Sequence, residues 1–208
     1  MLNGIEIVKP EEIEKRSMEI IASELGDDRT WPLEELAVVK RCIHTAADFD
    51  YAHNLVFSEN AVKIGIEALK RGANIVTDTN MAASGINKKK VTEYGGAVHC
   101  FMAQEDVALE ASQRGITRSA VCMERGAKLS GEIIYAIGNA PTALIRLYEL
   151  IEEKIINPVL IIGAPVGFVN VVESKELIMK AGIPFIVPRG RKGGSNIAAA
   201  ICNAMLYQ

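Results

Sequence analysis

The chain has 208 residues, 49% of them apolar, and a formal net charge of −3. That length suits one large α/β domain, and the slight negative charge leaves no bulk field for nucleic acid. No apolar run reaches about 18 residues, so no membrane-spanning helix is expected.

The N-terminal MLNGIEIVKPEE lacks a basic flank followed by an apolar run, so no secretory leader is expected. Residues 10–25 read as a helix: Pro10 fits its first turn, Glu11, Glu12 and Glu14 suit its positive end, and Gly26 follows it. Ile13, Ile20 and Ile21 recur at helical spacing, with Ser17 between them. Trp31-Pro32 opens a second helix over 33–46, whose buried face is marked by Leu36, Val39, Ile43 and Ala47. His44 falls in its last turn. A third helix is expected over 58–71, with Ser58 as N-cap and Gly72 as its stop.

From there apolar runs alternate with helical patterns. Residues 74–80, 97–102, 132–138, 158–164 and 184–190 read as strands, and 84–94, 105–129, 141–154, 167–181 and 193–206 as helices. Five β-then-α units predict a five-stranded parallel sheet with right-handed crossovers and helices on both faces. The many small aliphatic residues suit such a doubly covered sheet. No linker, repeat or low-complexity stretch interrupts the pattern, so residues 1–208 read as a single domain. The N-terminal helices would lie on it or on a partner subunit.

In an open parallel sheet, ligands gather outside the carboxyl ends of the strands. Four expected strand ends suit such a place: Thr77-Asp78-Thr79-Asn80, Gly138-Asn139-Ala140-Pro141-Thr142, the segment from Gly163 to Phe168, and the segment from Pro188 to Ser195. Glycine lets a ligand approach the backbone, helix N-termini offer N–H groups to anions, and arginine forks match carboxylates. Turn chemistry alone often puts Gly and Pro in such loops. Four converging on one edge, one carrying RGRKGGS, point to an anionic ligand. G-x-G-x-x-G after a strand and G-x-x-x-x-G-K-[ST] are both missing. A ligand with several carboxylates therefore fits better than a di- or triphosphate.

The stretch KRCIHTAADFDYAHN holds His44 and His53. His44, at the carbonyl-rich end of a helix, is either a half-exposed capping residue or a proton donor. His53 reads as a loop residue and His99 as a strand residue, so no metal centre is expected. Asp48 and Asp50 read as caps, while Asp78 is either a cap or a ligand-orienting group. The four scattered cysteines form no C-x-x-C pair, which fits a reducing, intracellular setting. No G-x-S-x-G nucleophile motif occurs.

Taken together, KRSMEII, KRCIHTAADFDYAHNLVFS, NIVTDTNMAASGI, ITRSA, AIGNAPTALIRLYEL, PVLIIGAPVGFVNVVESKE and GRKGGSNIAAAICNAM run in order over nearly the whole chain. In that order they resemble the precorrin-8X methylmutases, including the cobalt-precorrin-8 methylmutases of cobalamin biosynthesis. The resemblance implies a cytoplasmic, homodimeric isomerase with a flavodoxin-like sheet and no cofactor. Its reaction would be a 1,5-sigmatropic methyl shift from C-11 to C-12 of a contracted tetrapyrrole bearing several carboxylates. The product, hydrogenobyrinate or cobyrinate, would pass to neighbouring enzymes of the pathway.

By the same resemblance His44 is the catalytic residue. Arg118, Arg189 and Arg191 would grip peripheral carboxylates, and Ser17 would add a hydrogen bond. Backbone donors around Gly138, Asn139, Ala140, Pro141 and Thr142, and from Gly163 to Gly167, would take others. Asp78, Thr79, Gly193, Gly194 and Ser195 would complete the substrate site. Ile116 stands where some members carry Asn. Two other readings compete, a non-catalytic corrinoid carrier and a nucleotide-binding regulator. The first lacks D-x-H-x-x-G, and the second lacks both a phosphate loop and clustered acidic residues.

Overall fold

A computed structural model of the chain describes residues 6–26 and 31–208. Residues 1–5, where the stretch read for a leader begins, lie outside the described residues, as do 27–30. A 3-10 turn at Pro10–Glu12 leads into α1 (Ile13–Leu25). Then follow α2 (Leu33–Ala46), α3 (Tyr51–Asn54), β1 (Leu55–Phe57) and α4 (Ala61–Lys70). The alternating part contains β2 (Asn74–Thr77), α5 (Asn80–Gly85), α6 (Lys88–Glu93), β3 (Val98–His99), α7 (Glu105–Arg114) and α8 (Arg118–Gly126). It ends with β4 (Ile133–Ile137), α9 (Pro141–Glu152), β5 (Leu160–Gly163), α10 (Val171–Met179), β6 (Phe185–Pro188) and α11 (Ser195–Leu206).

The sheet has six strands in the order β1-β6-β5-β4-β2-β3. Five of them, β2 to β6, are parallel, and their order is the flavodoxin-like one. Strand order reverses between β2 and β4. The strands bury apolar residues on both faces. Ile134 and Ala136 join the cluster under α1, α2, α4 and α11, while Ile133, Tyr135 and Ile137 join the one under α7 to α10. That period of two through a continuous apolar run is what a doubly covered sheet requires.

The expected five strands become six because β1 adds an antiparallel edge, pairing Leu55 with Pro188 and Phe57 with Ile186. Three residues are too few to read as a strand alone; the open edge of β6 defines them. Ser58 is not the cap of α4. Its backbone N–H and side-chain oxygen instead exchange hydrogen bonds with the Phe185 backbone, and Asn60 precedes the helix in the left-handed region.

The helix expected over 105–129 breaks at Gly115 (φ 64°), and Thr117 caps α8 by accepting the Ala120 N–H. The helix expected over 84–94 is likewise two short helices, capped by Thr79 and Asn87. Capping bonds satisfy the otherwise orphaned first N–H groups, so each break has a local cause. Of the N-terminal helices, α1 packs on α2 and α2 packs on α11. Among the described residues no helix is long and apolar enough to cross a membrane.

Candidate functional site

The crevice where strand order reverses lies between the ends of β2 and β4, and Asp78 occupies it. Its side chain is 1% exposed. One oxygen accepts the Gly138 N–H at 2.8 Å, and the other accepts those of Asn139 at 2.9 Å and Ala140 at 2.6 Å. Burial pushes the Asp78 carboxyl above its usual value, and the three N–H donors pull it partly back. The Gly138, Asn139 and Ala140 N–H groups are thus taken up inside the protein, and Asp78 shapes the β4 loop.

Thr79 and Ser195 tie the same crevice to the last βα loop, with their hydroxyl oxygens 2.7 Å apart. A Cβ at Gly138 would lie 2.5 Å from the Ser195 Cα, so the β4 loop and the start of α11 touch backbone to backbone. Gly138→Ala is therefore expected to destabilise the protein by about 1–3 kcal/mol through overpacking. Thermal unfolding would show the loss. Gly163, inside β5, has its own close neighbour in Val187.

The β5 and β6 loops interlock in a similar way. The Gly194 N–H donates to Ala164 O at 2.8 Å and the Gly167 N–H to Arg191 O at 3.2 Å. A Cβ at Gly193 would collide with the Ala164 carbonyl, so only glycine fits there. The Gly167 N–H is thus also taken internally.

Lys175, on α10, holds the β6 loop from below. It is fully buried, and its ammonium donates to Gly190 O at 2.8 Å and Lys192 O at 2.7 Å. Sequence reasoning assigned it no role, yet a signal existed. Val171, Ser174, Lys175 and Ile178 share one helical face, so the lysine sits at a core position. Burial pushes its pKa down to about 8. The unfolded chain then binds more protons between pH 8 and 10.5, and stability from this group rises with pH through that window. The urea midpoint of wild type, relative to Lys175→Met, is expected to improve from pH 8 towards pH 10.5.

His44 stands exposed in the last turn of α2, between the buried Cys42 and Ile43 on one side and the left-handed Ala47 on the other. The turn that follows is fastened to RGRKGGS. Lys192 Nζ donates to Asp48 at 2.5 Å and Asp50 at 2.6 Å, and the Tyr51 hydroxyl reaches Gly193 O at 3.5 Å. Hydrogen bonding from Lys192 holds the Asp48 carboxyl below its usual value. Asp48 also accepts the Asp50 N–H, so it is a turn-former as well as an ion-pair partner. His53 lies instead beside a recess of about 190 Å³ walled by Trp31 and Phe49.

The arginines differ in their freedom. Arg189 pairs with Glu176 at 3.2 Å. Arg118 opens α8, is exposed, and makes no ion pair among the described residues. Arg191 likewise makes none among them, and its guanidinium lies 5.3 Å from the centre of the exposed Phe168 ring. Thr142, next to the Pro141 that starts α9, shares a hydroxyl cluster with Thr117 and Ser119. That cluster borders a recess of about 330 Å³ which Ile116 and Arg146 also line. Ser17, on α1, donates its hydroxyl to Ile13 O, a bond within its own helix. Among the described residues no three His, Cys, Asp or Glu side chains gather as a metal site.

The sequence profile of the precorrin-8X methylmutase family matches residues 12–208. A cobalt-precorrin-8 methylmutase of Salmonella typhimurium is 42% identical over 97% of this chain and 96% of its own. One of Priestia megaterium is 40% identical over 95% of this chain and 88% of its own. A crystal structure of precorrin-8X methylmutase from Thermus thermophilus superposes with a TM-score of 0.84 at 37% identity, covering 94% of this chain and 96% of that one. With sequence profile, relatives and fold agreeing over almost its whole length, the chain belongs to the precorrin-8X methylmutase family and is an isomerase of cobalamin biosynthesis.

Proposed function

We propose that this enzyme moves the methyl group of precorrin-8, or of its cobalt form, from C-11 to C-12, and that His44 lends a proton to the macrocycle. The C-11–methyl bond breaks as the C-12–methyl bond forms, and the double bonds of the five-atom conjugated path that joins the two carbons shift by one position. No atom enters or leaves, so the borrowed proton returns to His44. Hydrogenobyrinate or cobyrinate results.

Such a shift needs no nucleophile. It needs the ring held in a reactive shape and its electrons biased by one hydrogen-bond donor. The observation that carries this reading is the placement of His44: an exposed imidazole at the end of α2, just before a turn bound directly to RGRKGGS. Arg118 and Arg191, unpaired among the described residues, are the groups we assign to peripheral carboxylates. Arg189 joins them only by leaving Glu176. With the loop N–H groups engaged internally, side chains carry most of the anion recognition.

We further read residues 1–208 as one domain acting as a cytoplasmic homodimer that hands its product to neighbouring enzymes of the pathway. Exposed Val166, Phe168 and Val169 offer apolar surface to the macrocycle or the second subunit. Mixing the purified enzyme with precorrin-8 and following the visible spectrum tests the reaction. Time-dependent growth of the fully conjugated corrin chromophore is expected; binding without conversion would contradict it.

A further inference from the structure

We infer that Lys192, seated by Lys175, is a positioning residue that fixes the turn immediately after the helix end that carries His44. The kinetic part of its test rests on the methylmutase reading above; the structural part does not.

The connection can be followed atom by atom. Lys175 is buried on α10 and grips the carbonyls of Gly190 and Lys192, which sets the path of the loop at Lys192. From that point Lys192 sends its ammonium across to Asp48 and Asp50. Those two residues form the turn between α2 and α3, where Asp48 also accepts the Asp50 N–H at 3.0 Å. His44 lies only four residues before Asp48, in the last turn of α2. Past Ala47 the chain has left the helix, so its own backbone ladder no longer restrains it. Local backbone bonds, such as Ala52 N–H to Phe49 O and Asn54 N–H to Asp50 O, shape the turn itself, and the lysine ties it to the β6 loop. The two partners are 144 and 142 residues away in sequence from Lys192, so the contact joins distant parts of the chain.

A lysine in a basic loop at a polyanion site would ordinarily be taken as an anion contact. The geometry argues against that here. Two carboxylates already take two of the three ammonium donors, and the trio together carries a net negative charge. A ligand carboxylate approaching it meets repulsion, not attraction. The trio is also partly exposed, and ion pairs open to solvent contribute little to global stability. Its effect should therefore be local: the set of the turn that follows α2 and, through it, of the helix end that carries His44. A misplacement of about 1 Å in a reacting group lowers turnover by about 100-fold.

The test uses the full-length enzyme with Lys192→Met, Lys192→Arg and Lys175→Met. Lys192→Met is expected to lower kcat by about 10- to 100-fold, with KM and product affinity within about threefold of wild type. Its melting temperature should barely change. Lys192→Arg, which can still meet both carboxylates, should restore most of the loss. Amide hydrogen exchange should accelerate over residues 44–54 in both Met variants. An unchanged kcat for Lys192→Met overturns the inference, as does a rise in KM and product Kd with kcat intact, which would make Lys192 a direct substrate contact. If wild type itself converts no precorrin-8, the methylmutase reading fails separately. Hydrogen exchange then decides alone: unchanged protection over 44–54 overturns the restraint, and accelerated exchange upholds it.

Discussion

His44→Ala is expected to hold the corrin product at near wild-type affinity while turning over about 10²- to 10⁴-fold more slowly, the usual contribution of one positioned acid. The separation follows from where the binding groups sit. The cations assigned to carboxylates lie on α8 and the β6 loop, and among the described residues no hydrogen bond joins His44 to the interlocked loops around Asp78 and Ser195. Removing the imidazole should therefore leave the ring in place and take away only the hydrogen bond that biases its electrons. Product affinity by spectral titration and single-turnover rates measure the two effects independently. Equal loss of both would mean that His44 is a binding group.

Asp78→Asn should produce the largest loss of stability of any single conservative change at the site, about 3 kcal/mol. All three partners of Asp78 are N–H donors, which suits an ionised carboxylate with two acceptor oxygens. Asparagine keeps one oxygen and turns an NH2 group towards N–H groups. At least one bond is then replaced by a donor–donor clash, in a place that water does not reach. Because the loop from Gly138 to Ala140 rests against Ser195, the distortion should spread to the start of α11. Chemical unfolding measures the stability, and the same preparation should show a raised KM.

The alternation of apolar runs with helical patterns makes the parallel core readable in the sequence. Runs such as IIYAI and LIIG are buried on both faces, and only a doubly covered sheet accommodates that. The sixth strand was not readable, since Leu55 to Phe57 owe their extended form to the free edge of β6. The break in the helix over 105–129 was readable in principle, because RGIT supplies a left-handed glycine and a capping threonine.

At the site, the strand-end loops were visible as glycine-rich segments, but not the use of their N–H groups. That use depends on Asp78 reaching about 60 residues along the chain. Lys192 and the two aspartates are further apart still, and no local pattern links them. Lys175 alone left a trace, as a charge on the apolar face of α10.

The most direct measurement is the structure of the enzyme with its corrin product bound. The proposed function predicts an imidazole nitrogen of His44 about 3 Å from the macrocycle, with product carboxylates on Arg118 and Arg191. A product held away from the carboxyl edge of the sheet, with His44 still facing solvent, would contradict it.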